Sequence, residues 1–96
     1  MTEQELWAYF EGLRKEPGHP GICDRLPKEK VVQMGELMLL QEDSPKAKDV
    51  IMMTLAHQQH SKEALRYLKA YNRMQTDPLM KIYTQFAVEE CEWWNE

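Results

Sequence analysis

The chain has 96 residues, of which 43% are hydrophobic and 29% charged, and its formal net charge is −4 at pH 7. This length suits one small domain, and the apolar content is too high for an intrinsically disordered chain. Lysine and arginine are spread along the chain and are outnumbered by acidic residues, 12 to 16. Because nucleic-acid binding normally requires a basic stripe, we expect no nucleic-acid partner.

The sequence also argues against a membrane protein. Its apolar runs are far shorter than the ~20 residues that cross a bilayer. The chain begins Met-Thr-Glu-Gln-Glu, which lacks the basic start and apolar core of a signal peptide. We therefore expect a cytoplasmic protein, in which Cys23 and Cys91 are reduced. Cys91 fits a small apolar residue inside a packed helix.

The first predicted helix begins at Thr2, because Thr2 and Glu5 have the spacing of a capping box. Apolar residues then recur at helical spacing until about Lys15. Two prolines and two glycines fall between residues 16 and 21, which predicts a long loop. Residues 1–26 are thus expected to form an N-terminal capping helix followed by this loop.

Two further helices are predicted within residues 27–59. The second helix should begin near Pro27, since proline suits the first helical turn. Ser44 is predicted to cap the third helix, with Pro45 at its first position, and this helix should run to about residue 59. Because residues 50–56 place apolar side chains on all sides, we expect the third helix at the centre of the domain.

Residues 61–94 are predicted to form a second pair of helices. Ser61 caps the fourth helix, and Asp77 followed by Pro78 repeats the cap-and-proline device at the start of the fifth. The fifth helix should continue to Trp94. No segment alternates apolar and polar residues as a strand would, so we predict an all-α single domain of about five short helices.

The two helix pairs follow the same pattern in the sequence. Pro27-Lys28-Glu29 precedes Ser61-Lys62-Glu63 by 34 residues. A period in this range is the size of one helix pair in an α-helical repeat protein. We therefore expect two equivalent antiparallel hairpins, residues 27–59 and 61–94, stacked as a right-handed superhelix.

The turn and second helix of each hairpin resemble HEAT or armadillo-type repeats. Those families open the second helix with an Asp-Pro-like cap, which Asp43-Ser44-Pro45 and Asp77-Pro78 match. They also place a branched apolar residue about a turn later, as Val50 and Ile82 do. A tetratricopeptide repeat is the alternative resemblance, carried by Ala64, Tyr67 and Leu68. Either family implies a scaffold that binds other proteins without catalysis.

The predicted core draws on the third, fourth and fifth helices. Its members are Val50, Met53, Thr54, Leu55, Leu65, Leu68, Ile82 and Phe86. Truncating Leu68 or Phe86 to alanine is expected to destabilise the fold by roughly 2–5 kcal/mol, because each change would leave a cavity.

The fifth helix carries the candidate interaction surface, which consists of Tyr83, Glu90, Trp93 and Trp94. Exposed tryptophan is enriched at interfaces. Adjacent helical residues point about 100° apart, so one tryptophan can face solvent while the other enters the core. The alternative is that both close the end of the core. Because a two-repeat stack leaves its last face uncovered, we favour a homodimer over a monomer, in addition to an unidentified protein partner.

Three residues, His57, His60 and Cys23, could act as metal ligands, together with His19 from the same loop as Cys23. The spacing matches no zinc-finger pattern, and a histidine near a helix C-terminus is favoured by the free carbonyls there. No nucleophile–base pattern or phosphate loop is present, so we expect no enzyme activity and no cofactor. The alternative to a binding scaffold is a metal- or small-molecule-binding helical domain that uses these three residues.

Overall fold

The computed structural model of the protein describes residues 1–15 and 26–95. This part of the chain contains five α-helices and no strand, which confirms the predicted all-α class. The helices are α1 (Glu3–Lys15), α2 (Lys28–Met38), α3 (Pro45–Ala56), α4 (Lys62–Met74) and α5 (Pro78–Trp94). The proline- and glycine-rich segment, with His19 and Cys23, lies outside the described residues.

Four helix starts are made by the side chains that the sequence indicated. Thr2 Oγ1 accepts from the Glu5 N–H at 3.1 Å, and Glu5 Oε1 accepts from the Thr2 N–H at 2.9 Å, which completes the capping box. Ser44 and Ser61 each accept from the N–H three residues on, at 3.2 Å. Asp77 Oδ1 accepts from the two N–H groups that follow at 2.8 and 3.3 Å. These bonds satisfy N–H groups that a helix start leaves unpaired.

α3 and α4 are the central helices of the fold. α3 packs against α2, α4 and α5, and α4 packs against α2, α3 and α5. The ends of α3 and α5 meet, since Asn95 Nδ2 donates to Gln58 O at 3.2 Å. Asn95 Oδ1 accepts from the Ser61 N–H at 2.6 Å, which joins the same end to the start of α4. α3 and α5 are therefore parallel, with α4 antiparallel to both.

α1 is attached to the turn between α2 and α3. Glu3 accepts hydrogen bonds from the N–H and the hydroxyl of Ser44, both at 3.0 Å, and from Trp7 Nε1 at 3.2 Å. Leu6 is fully buried, and the Lys46 ammonium lies 5.8 Å from the centre of the Trp7 ring. The position of this helix is therefore fixed by Glu3, by the buried Leu6 and by partly buried apolar side chains that pack against the core, namely Trp7, Tyr9, Phe10 and Leu13.

The core lies between α2, α3 and α4. Thr54, Leu55 and Leu68 are buried as predicted, whereas Val50 and Leu65 are only partly buried. Other large, fully buried side chains include Leu6 of α1, Val31, Met34 and Met38 of α2, Ile51 of α3, and Thr84 and Cys91 of α5. α2 therefore contributes to the core together with α3 and α4.

Three residues that were predicted to lie in the core are on the surface. Met53, Ile82 and Phe86 are 53%, 50% and 60% exposed. For α5 the error is one of rotation about the helix axis. The side that α5 buries consists of small residues, namely Thr84, Ala87, Val88 and Cys91. Small side chains let α5 approach α3 and α4 closely, and the larger residues are left on its opposite side.

α3 also ends before the predicted position near residue 59. The His57 ring turns back, so that its Nδ1 lies 2.8 Å from Met53 O. Gln58 Nε2 likewise donates to the carbonyl oxygen one turn earlier, at 3.1 Å. These side chains occupy carbonyls at the helix end. His60, with a φ of 53°, then reverses the chain direction.

Candidate interaction surface on the C-terminal helix

α5 has a second apolar face, opposite the side that it buries. The side chains on this second face are exposed and recur at the same helical spacing. We call this surface the α5 outer face; it consists of Leu79, Ile82, Tyr83, Phe86, Glu90 and Trp93. At about 100° of rotation and about 1.5 Å of rise per residue, these six positions form one stripe about 21 Å long.

Polar contacts near both ends of α5 hold the outer face toward solvent. Asn72 Nδ2 donates to Thr84 Oγ1 at 2.7 Å and to Lys81 O at 3.1 Å. Lys81 Nζ in turn donates to Asn72 O at 2.8 Å, on the α4 side of the helix. At the other end Asn95 connects α5 to Gln58 and Ser61. The rotation of α5 is therefore determined by specific hydrogen bonds in addition to apolar packing.

Glu90 is held in place by two neighbouring side chains. Trp94 Nε1 donates to Glu90 Oε1 at 3.3 Å, and His57 Nε2 lies 3.6 Å from the same oxygen. The Trp93 and Trp94 rings meet edge to face, with centroids 4.8 Å apart. Trp93 is 62% exposed and Trp94 is partly buried, so neither tryptophan is a core residue. Three of the four predicted surface residues are thus in contact, and Tyr83 lies two turns earlier on the same face.

An open depression lies beside this cluster and is lined by Phe86, Glu89, Glu90 and Trp93. Gln85 Nε2 donates to Glu89 Oε1 at 3.4 Å. Over residues 1–15 and 26–95, no lysine or arginine comes within salt-bridge distance of Glu89 or Glu90. The depression therefore combines two aromatic rings with two carboxylates that have no basic lysine or arginine partner within the described chain.

Leu79, Ile82 and Phe86 were not identified as surface residues by the sequence pattern. α5 has two apolar stripes of the same period, so periodicity alone could not tell which stripe is buried. One signal was present: the outer stripe is interrupted by a charged residue, Glu90, whereas the buried stripe carries no charge from Thr84 to Cys91. A charged side chain is rarely buried without a partner.

The residues of the predicted metal-binding alternative are not assembled into a site by the described structure. His57 contacts Met53 O and Glu90, His60 is exposed, and Cys23 lies outside the described residues. Within the described ranges, no group of three or more His, Cys, Asp or Glu side chains is arranged to hold a metal ion.

Cys91 is fully buried against Asn95, as the sequence predicted. Burial raises the pKa of its thiol to about 11, so the thiol is protonated at neutral pH. A buried, protonated thiol is a poor nucleophile and a poor metal ligand. The role of Cys91 in this fold is packing.

Comparison of the chain with protein-family models, with curated proteins and with solved structures found no match. None of the helices in the described residues is long and apolar enough to span a membrane.

Proposed function

We propose that this protein is a small helical scaffold that binds a partner protein through the α5 outer face, without catalysis. The supporting observation is a continuous stripe of large, exposed apolar side chains on a helix whose other side is already buried. Contiguous apolar patches of several hundred Å² on a protein surface are often functional. Side chains of this size, about half exposed, offer on the order of 500 Å² for burial against a partner.

A partner gains free energy from that surface. Apolar area removed from water contributes about 25 cal/mol per Å². Stable interfaces bury about 800 Å² on each partner, so residues beside the stripe must contribute as well. Met53 is such a residue. It is exposed and lies one turn before His57, and Phe86 lies one turn before Glu90, which His57 contacts. Since α3 and α5 are parallel, this register places Met53 and Phe86 at the same level.

The HEAT-like architecture is part of the proposal. α2 with α3, and α4 with α5, would be two equivalent hairpins stacked in a right-handed sense. Support comes from burial: four buried positions of the first hairpin recur in α5 with a spacing of 33 residues. They are Ile51, Thr54, Leu55 and Gln58 in the first hairpin and Thr84, Ala87, Val88 and Cys91 in the second. In a stacked array, the outer side of the last helix is where a further repeat or a partner would pack.

The proposal is tested by site-specific crosslinking. A photoreactive amino acid replaces Phe86, and in a control protein it replaces Leu40, an apolar residue on the α2–α3 turn that is 52% exposed. We expect a protein from the native cell extract to crosslink through position 86 and not through position 40.

The captured protein is then purified and its binding is measured directly. Ile82→Asp should abolish binding, because it places a charge in the middle of the apolar stripe, whereas Leu40→Asp should bind like the wild type. Circular dichroism establishes that both variants are folded. If the captured protein binds Ile82→Asp with wild-type affinity, the α5 outer face is not its binding site.

The homodimer favoured by the sequence is tested separately, by sedimentation equilibrium at micromolar concentration. A dimer mass that becomes monomeric in Ile82→Asp would show that a second copy occupies the outer face. A monomer mass for the wild type would leave this face available to another protein.

A further inference from the structure

We propose that the segment bound by the α5 outer face is a basic amphipathic helix, with one arginine or lysine side chain entering the depression lined by Phe86, Glu89, Glu90 and Trp93. The proposal rests on the proposed function, because it names the chemistry of the partner at the same surface.

The charge of the depression determines which side chain fits it. Glu89 and Glu90 are both exposed, and neither has a lysine or arginine partner among the described residues. A guanidinium or ammonium group placed between them would form charge-assisted hydrogen bonds. The exposed ring of Trp93 beside the carboxylates would add a cation–π contact, for which tryptophan is the best aromatic side chain.

The carboxylate of Glu90 is already oriented before a partner binds. Trp94 Nε1 and His57 Nε2 contact the same oxygen, Oε1, at 3.3 and 3.6 Å. Contacts to one oxygen leave the other, Oε2, available for a ligand. Because the side chain is ordered in the free protein, less conformational entropy is lost on binding.

The shape of the surface favours a helix as the bound element. The α5 outer face is a straight ridge about 21 Å long, which matches about four turns of a partner helix. Met53 on α3 is a further exposed apolar side chain, one turn before His57, which contacts Glu90. Apolar residues spaced three and four apart on a partner helix can pack along such a ridge. The described residues contain no strand edge that could pair with an extended peptide.

A second copy of this chain fits the surface less well. Antiparallel pairing of two α5 helices about Phe86 would set Glu90 against Ile82 of the other copy. A carboxylate buried against apolar side chains without a cation is unfavourable. Lys81, the basic residue of α5, donates to Asn72 O on the side facing α4 and does not lie on the outer face.

The test uses three fluorescently labelled synthetic helical peptides of about 16 residues, the length that spans the ridge. All carry the same leucine stripe, and their flanking positions are arginine and lysine, glutamine, or glutamate. Binding to the full chain is measured by fluorescence anisotropy at low salt. We expect the basic peptide to bind at least about tenfold more tightly than the glutamine peptide, and this ratio to fall at high salt because the charge interaction is screened.

Variants locate the charge recognition in the depression. The double variant Glu89→Gln with Glu90→Gln should remove most of the preference for the basic peptide and should still bind the glutamine peptide. Glu92→Gln is the matched control, because Glu92 is exposed on the same helix but lies about 200° of helical rotation beyond Glu90. Trp93→Leu, which keeps an apolar side chain but removes the aromatic ring, should reduce the preference in part.

The outcomes separate this inference from the proposed function. If the basic and glutamine peptides bind equally well, and Ile82→Asp binds neither, the partner is not basic but the outer face is still a binding surface. If Glu92→Gln loses the preference for the basic peptide to the same extent as the double variant, the depression is not the site of charge recognition. Peptide binding that persists in Ile82→Asp would contradict the binding surface itself. If none of the peptides binds, whether this protein is a monomer or a dimer, the inference is wrong.

Discussion

Leu68 and Phe86 are large apolar residues on two helices that pack together, but their surroundings differ completely. Leu68 is buried on α4 and is among the largest fully enclosed side chains of the protein. Phe86 lies on the outer face of α5 in contact with solvent. The contribution of an apolar side chain to stability depends on the water that it displaces, so similar side chains have different effects at these two positions.

Truncation of the two residues should therefore give unequal losses of stability. Leu68→Ala is expected to lower the free energy of unfolding by about 2–5 kcal/mol, because it leaves a cavity in a packed core. Phe86→Ala should change it by about 0.5 kcal/mol or less. Urea denaturation followed by circular dichroism measures both values. A loss for Phe86→Ala as large as that for Leu68→Ala would mean that α5 is rotated relative to the structure described.

Cys91 should be protected from thiol reagents in the folded protein. Burial, with a smaller contribution from the charge of Glu92, raises the pKa of its thiol to about 11. In a Cys23→Ser variant, which leaves one thiol, we expect alkylation at pH 8 to be at least about a hundredfold slower in buffer than in urea. The pKa of this acid is higher in the folded state than its ordinary value of 9.0. Its contribution to stability is therefore lost as the pH rises from 9 towards 11.

At the scale of helices, α2 packs against α4 with Gly35 directly under the Tyr67 ring. A Cβ atom at this position would lie 2.3 Å from Cγ of Tyr67, which is too close for the ring to remain in place. Glycine is usually unfavourable inside a helix, because alanine at the same position stabilises the helix by up to about 1 kcal/mol. Gly35 is therefore required by the packing of the two helices.

Gly35→Ala should destabilise the protein by about 1–3 kcal/mol, because the tyrosine ring or the helices must move. Gly12→Ala is the matched control on α1, where a Cβ atom would meet no described atom within 4 Å. That change should stabilise the fold by about 0.5–1 kcal/mol through helix propensity. Thermal unfolding of both variants provides the comparison. Equal midpoints would contradict the close approach of α2 and α4.

The helix starts could be predicted from the sequence because each depends on residues close together in the chain. Thr2 and Glu5 complete their capping box across three residues, and Ser44, Ser61 and Asp77 reach N–H groups two or three residues on. The chemistry of such a cap is visible in a short stretch of sequence. The same is true of the five helices.

The rotation of α5 could not be predicted in the same way. It depends on contacts between distant residues, such as Asn72 with Thr84 and Asn95 with Ser61, 34 residues away. Both apolar stripes of α5 have the helical period, so periodicity alone does not show which stripe is buried. The sequence pattern therefore places Ile82 and Phe86 in the core, although they share one face of the helix with Tyr83, Glu90 and Trp93.

At the scale of the whole molecule, one carboxylate connects the first helix to the rest of the fold. Hydrogen bonds to Glu3 lower its pKa from the ordinary value of 4.5. The largest effect comes from the Ser44 N–H, and Trp7 Nε1 and the Ser44 hydroxyl add to it. The pKa of Glu5 is also lowered, by hydrogen bonds from Thr2. The pKa of Glu63 is lowered by hydrogen bonds from its own N–H and from Lys28. Because their folded pKa values are depressed, these groups stabilise the fold above pH 4.5, and the stabilisation is lost as the pH falls through the folded values.

Glu3→Gln should therefore reduce the difference in stability between pH 7 and pH 3. Glutamine keeps the shape of the side chain and one acceptor oxygen, but it does not titrate. The urea midpoint is measured for both proteins at the two pH values, with Glu92→Gln as a control for the loss of one negative charge. An unchanged difference in Glu3→Gln would show that the attachment of α1 does not contribute to acid sensitivity.

The small side chains on the buried side of α5 also determine how firmly that helix is held. Thr84, Ala87, Val88 and Cys91 contribute less apolar area to the core than Ile51 and Leu55 do in α3. Backbone amides in α5 should therefore exchange with deuterium sooner than those of α3, through openings that leave the remaining helices folded. A partner on the outer face would slow this exchange, because binding stabilises the closed state by mass action. Slower deuterium exchange of the α5 amides would therefore indicate that a partner occupies the outer face.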